Sequence, residues 1–169
     1  MSNAASLFNG CGVSENYNTA RPPISQSLLQ LLLNNSENKE GCKGSLALDV
    51  GCGTGISTVL LSPFFNKVIG IDTSDSQIDI AKQQNAKSNV DYRLGDVNSV
   101  LQQFEEASVD LIMAVQAVHW FDRQPFYQEC CRVLKPGGCL ALIGYPRNFL
   151  RVSGDEYLEQ KLNQFLDEV

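Results

Sequence analysis

The chain has 169 residues, enough for a single hydrophobic core, and 43% hydrophobic with 19% charged residues is ordinary for a globular domain. A net charge of −6, a pI near 4.7 and the lack of any Lys/Arg cluster exclude nucleic acid as the expected partner, since a polyanion needs a basic footprint. No stretch approaches membrane-span length and polar Met1–Thr19 has no sustained apolar core, so a cytoplasmic protein without membrane contact is expected. The six cysteines contain no CxxC pairing; reduced thiols and no metal site are the corresponding expectations.

Residues 1–22 are mixed and turn-rich, Ser25–Leu33 has helical character with leucines at 28, 29, 31, 32 and 33, and polar Asn34–Gly44 reads as a linker. Residues 1–44 are therefore an arm, helix and linker, and residues 45–169 the core of what is one domain overall. Strands are predicted over 45–50, 67–71, 90–94, 109–115 and 139–144. Helices are predicted over 55–62 (stopped by Pro63), 74–87, about 98–104, and 124–134. Leu134-Lys135-Pro136-Gly137-Gly138 reads as a turn before the fifth strand. Asp155–Glu168 reads as an amphipathic helix with Tyr157, Leu158, Leu162, Phe165 and Leu166 toward one side. This alternation predicts an α/β fold, a doubly wound Rossmann-like and mostly parallel sheet with right-handed crossovers, truncated after strand five. The strand edge left by such an ending is an association liability, so self-association through it is expected.

The chemistry concentrates where the first strand ends, in Leu46-Ala47-Leu48-Asp49-Val50-Gly51-Cys52-Gly53-Thr54-Gly55. A buried strand turns sharply into a helix there, and glycines allow positive φ and a close ligand approach to bare backbone. A phosphate loop would end in Gly-Lys-Ser/Thr, but Ile56-Ser57 follows Gly55. A dinucleotide fingerprint would need a small residue where Ile56 stands, and no Lys or Arg between Gly44 and Asn66 is placed to neutralise a pyrophosphate. Asp49 beside the turn suits instead a ligand with a cationic head and a carboxylate, such as the methionyl part of S-adenosylmethionine. Asp72, ending the second strand roughly 20 residues after Gly51, can accept from both ribose hydroxyls. Asp96, in the Gly95-Asp96 pair after the third strand, can accept from an adenine amine while the Val97 amide meets a ring nitrogen. With strands ordered 3-2-1-4, all three acids emerge at the carboxyl edge beside the switch point.

These residues resemble the seven-strand S-adenosylmethionine-dependent methyltransferases, particularly the small-molecule branch of trans-aconitate and ubiquinone-biosynthesis enzymes. The resemblance is carried by Asp49–Gly55, Ile71-Asp72, Gly95-Asp96, Val109–Val115 and Leu134–Gly138, with Val118-His119-Trp120-Phe121, Tyr17 and Arg21-Pro22 resembling the trans-aconitate type. It implies that Asp49 and the turn glycines Gly51, Gly53 and Gly55 face the methionyl moiety, Asp72 the ribose, and Asp96 with Val97 the adenine. Gln116 would line the same pocket, and Tyr17 and Arg21 would close over the cofactor's carboxylate. The implied function is methyl transfer from S-adenosylmethionine to a small soluble acceptor, a carboxylate being one candidate. Such a fold normally carries two further strands after the fifth, so the alternative is a catalytically impaired binding or regulatory protein.

His119, the single histidine, follows the fourth strand and is the catalytic candidate; the competing reading is a hydrogen-bonded loop histidine. Trp120 and Phe121 read as pocket wall or core, and Cys52 as a small packing residue rather than a nucleophile.

Overall fold

The computed structural model describes residues 24–35, 43–144 and positions 157, 160 and 161. Within them helix α1 (Gln26–Asn35) precedes strand β1 (Gly44–Val50), helix α2 (Ile56–Leu61) and strand β2 (Phe65–Asp72). Helix α3 (Asp75–Gln84), strand β3 (Val90–Leu94), helix α4 (Val97–Leu101) and strand β4 (Val109–Val115) follow. A 3₁₀ turn over Val118–Trp120, helix α5 (Arg123–Val133) and strand β5 (Leu134–Ile143) complete the order. The five strands form one parallel sheet ordered β3-β2-β1-β4-β5, the doubly wound Rossmann-like arrangement that the alternation predicts.

Period-2 alternation sorts each central strand between two faces. Leu48 and Val50 of β1 and Ile112 and Ala114 of β4 turn to the face where α4 and α5 bring Val97, Val100, Leu101, Phe126, Cys130 and Val133. Ala47 of β1 and Leu111, Met113 and Val115 of β4 turn to the opposite face, against Leu29 of α1, Leu61 of α2 and Ala141 of β5. Farther along, Ile78 and Ala81 of α3 pack with Cys52 and Tyr92. Both faces of the inner strands are thus covered, which is why they read as near-continuous apolar runs rather than alternating ones. Leu29 also shows that the helix of the predicted arm packs into the same core as the sheet.

One expectation changes, and two details are added. The Lys135-Pro136-Gly137-Gly138 segment lies inside β5 rather than before it: Val109 pairs with Leu134 and Leu111 already with Cys139, so the intervening residues bulge out of register. Gly137, at φ +77°, supplies the left-handed position this excursion requires. The 3₁₀ turn was not expected, because three residues are too few to show a period. Tyr157, placed by its spacing on an apolar helix side, is 67% exposed, with the Lys161 ammonium 5.0 Å from its ring centre. The rest of that helix lies outside the described residues, as do Tyr17 and Arg21. Among the described residues, no helix is long and apolar enough to cross a membrane and no group of His, Cys, Asp or Glu could hold a metal ion.

Candidate cofactor site

The turn after β1 is held from below by the neighbouring strand. Gly51 and Cys52 both donate their amides to the Ile71 carbonyl, at 2.8 and 3.0 Å, and Gly55 donates to the Cys52 carbonyl at 3.0 Å. Gly51, Gly53 and Gly55 all have positive φ, but their surroundings differ. A Cβ on Gly51 would collide with that of Ala117 and lie 3.3 Å from the Phe121 ring. One on Gly55 would lie 2.5 Å from the Tyr92 hydroxyl. One on Gly53 would meet only Gln77 Oε1, at 3.5 Å. Two glycines therefore make room for the protein itself, whereas Gly53 stands at the uncrowded part of the turn.

The three acids divide the work around this turn. Asp49 does not stand open to the crevice: it is fully buried, and its Oδ2 accepts from the Ser57 and Thr58 hydroxyls, both at 2.7 Å. The physical reason is the pleat, which turns Asp49 to the α2 face with Ala47, one residue short of the strand end. Short charge-assisted bonds to two hydroxyls in the first turn of α2 lock that helix onto the sheet. Asp72, half-buried at the end of β2, accepts from the Gly53 amide at 2.8 Å with Oδ2 and from the Ser74 amide at 2.9 Å with Oδ1. Its carboxylate is pre-aimed at the turn by the backbone. Asp96 is exposed and caps α4, its Oδ1 accepting from the Asn98 and Ser99 amides at 3.0 and 3.2 Å. Val97 is the first helical residue beyond it, so its amide has no partner within that helix. Parallel pairing of Asp72 with Leu94 and a bond from the Gly95 amide to the Asp72 carbonyl at 2.9 Å set Asp96 beside Asp72.

Across the switch point, β4 is followed by Gln116, which is not glycine yet has φ +54°. Its amide donates to the Ile143 carbonyl at 2.8 Å, so pairing with β5 holds the strained residue in place. Beyond it His119 is exposed, its ring 5.0 Å from that of exposed Trp120. Phe121 is half-buried, 5.0 Å from buried Phe126, and so serves the core side of this loop. The structure thus joins the glycine turn to Asp72, sets Asp96 and Val97 at the neighbouring strand end, and packs the segment that follows β4 against the turn through Ala117 and Phe121. Asp49 sits beneath the turn.

Sequence reasoning missed the layer behind the turn. Tyr92 is buried and donates from its hydroxyl to the Asn85 carbonyl at 2.9 Å, while Asn85 Nδ2 donates to the Thr54 carbonyl at 2.8 Å. Burial, then Cys52 and Asp49, push the Tyr92 phenol well above its ordinary range, so it remains a donor at neutral pH. Burial likewise raises the Cys52 thiol, with Asp49 and Asp72 adding to the effect, so Cys52 packs rather than reacts. The Ser57-Thr58 pair was legible in principle, as two hydroxyls just after a helix start, but nothing local shows that they point at Asp49.

Residues 48–142 match the family profile described as a methyltransferase domain. A Dictyostelium discoideum protein named as a methyltransferase is 35% identical over 79% of this chain and 47% of its own length. The human mitochondrial ubiquinone biosynthesis O-methyltransferase is 34% identical over 70% of the chain and 33% of its own length. A solved structure named as a type II methyltransferase, from Anaeromyxobacter dehalogenans, superposes with a TM-score of 0.61 at 33% identity, covering 72% of this chain and 48% of the other. The chain spans about half the length, or less, of these relatives.

Proposed function

The chain belongs to the class I methyltransferase family, and from that premise we propose that it binds S-adenosylmethionine at the turn after β1 and transfers its methyl group to a small soluble acceptor. The single observation that carries this reading is the pairing of a turn uncrowded at Gly53 with a half-buried carboxylate, Asp72, bonded to that glycine's amide. A pyrophosphate would meet the Asp72 and Asp96 carboxylates with no Lys or Arg between Gly44 and Asn66 to offset them, whereas a ribose and a cationic head suit them. Asp72 accepts from the ribose hydroxyls with the lone pairs its backbone bonds leave over. Asp96 accepts from the adenine amine through Oδ2, since its bonds to Asn98 and Ser99 all use Oδ1. The Val97 amide meets a ring nitrogen. Gly51–Gly55 hold the methionyl part, with Asp49 fixing the turn from beneath.

When bound, the cofactor supplies an already activated electrophilic methyl group. The protein's share is alignment, and proximity with orientation can supply most of the acceleration. Gln116 and His119 stand on the acceptor side of the crevice. An acceptor with a proton to lose hands it to His119, whereas a carboxylate acceptor needs only to be held. The test is thermal unfolding with S-adenosylmethionine, its demethylated product S-adenosylhomocysteine, or NAD. Either adenosyl ligand at about 100 times its dissociation constant should stabilise the fold by about 2.7 kcal/mol, with NAD inert. Stabilisation by NAD alone overturns the reading.

A further inference from the structure

We propose that Tyr92 is a positioning residue for the cofactor turn, acting on Thr54 and Gly55 from behind without touching a ligand. This rests on the reading of that turn as the cofactor site. Tyr92 lies on β3 opposite Gly70 of β2, and its ring spans the distance from the sheet to the cap of α2. A Cβ on Gly70 would come within 2.7 Å of the ring, and one on Gly55 within 2.7 Å of ring carbon Cε1 and 2.5 Å of the hydroxyl. Both glycines are therefore the floor on which this ring rests. From there the hydroxyl holds the Asn85 carbonyl, and Asn85 Nδ2 holds the Thr54 carbonyl. Asn85 is itself anchored, its amide donating to the Ala81 carbonyl at 2.9 Å as α3 ends. A turn with three glycines in five residues has ample backbone freedom to lose. Asp72 pins its Gly53 amide from one side, and the Tyr92–Asn85 link pins Thr54 and Gly55 from the other. A turn that leaves its binding geometry part of the time binds in proportion to the fraction that remains.

The experiment uses the full chain, with Tyr92→Phe, Asn85→Ala and the double variant. Two readouts are taken: amide hydrogen exchange without ligand, and calorimetric affinity for S-adenosylhomocysteine. Tyr92→Phe keeps the ring on both glycines and removes only the hydroxyl. Exchange at Gly53, Thr54 and Gly55 should quicken about three- to ten-fold, the size expected for one hydrogen bond, with β1 and β4 unchanged. Affinity should weaken by a similar factor. The double variant should be no weaker than Asn85→Ala alone, because the hydrogen-bonded route from the hydroxyl to Thr54 runs through that side chain. Quickening spread evenly over the sheet, an unaltered turn, or a loosened turn with unchanged affinity each overturn the proposal, the first marking Tyr92 as a core residue only. Should the unmodified chain fail to bind S-adenosylhomocysteine while Tyr92→Phe still loosens residues 53–55, the cofactor reading falls and the clamp on the turn stands.

Discussion

Asp72 shapes the turn through the Gly53 and Ser74 amides, and under the proposed reading its remaining lone pairs serve a ribose. Asp72→Ala should therefore weaken S-adenosylhomocysteine binding in calorimetry by about 1.5–3 kcal/mol for each charged hydrogen bond to the ligand that is lost. Affinity equal to that of the unmodified protein would remove Asp72 from the site. The glycines make a sharper comparison. Gly51→Ala and Gly53→Ala each meet the left-handed penalty of about 1–2 kcal/mol, but only Gly51→Ala also drives a methyl into Ala117. Thermal unfolding should show Gly51→Ala to be clearly the less stable, and Gly53→Ala to lose ligand affinity out of proportion to its stability.

At the scale of elements, the decisive contact is between the turn after β1 and the segment that leaves β4. Gly51 fits against Ala117 and Phe121, so the segment bearing Gln116, His119 and Trp120 is seated directly on the turn after β1. Gln116 is the strained point of that junction, and strain of this kind persists only where the surroundings enforce it. Replacing Gln116 by glycine relieves the positive φ and should raise thermal stability by up to about 1 kcal/mol while lowering methyl transfer. Equal or higher turnover would mean that the conformation serves the fold alone. His119→Ala should leave S-adenosylhomocysteine affinity intact. It should lower turnover by roughly 10²–10⁴-fold if the residue accepts a proton from the acceptor, and by less if it only orients.

For the whole molecule, the buried thiols and phenol tie stability to alkaline pH. Burial first, with Cys131 and Glu129 behind it, pushes the Cys130 thiol from its ordinary 9.0 up to about 12, and the Cys52 thiol is raised as well. A group with a raised folded value stabilises fully below its unfolded value and less as pH climbs toward the folded one. Stability should thus be level through neutrality and fall above about pH 9 by up to ~1.4 kcal/mol per pH unit for each such thiol. Chemical denaturation between pH 8 and 10.5 checks this, and Cys130→Ala should flatten the slope. At pH 8, Cys131, which is exposed, should react with thiol reagents long before Cys52 or Cys130.

The strand and helix order, the parallel sheet and the residues at its carboxyl edge were all legible in the chain. Apolar runs, glycine spacing and acids at strand ends are local signals, and a doubly wound topology brings strand ends together without further instruction. The helix bounds came out within a few residues for the same reason. What only the tertiary structure decided is which way each side chain faces and what it meets there. Asp49 reads as a turn acid from its place in sequence, but only the pleat shows that its carboxylate accepts from the Ser57 and Thr58 hydroxyls. The Pro-Gly-Gly segment read as a simple turn, yet it bulges out of β5, because its register depends on β4. Gly55 and Gly70 are glycines on account of Tyr92, far away in sequence and adjacent only because β2 and β3 pair. Local pattern determines which elements form, whereas cross-strand register, a property of no single segment, assigns the partners that shape the site.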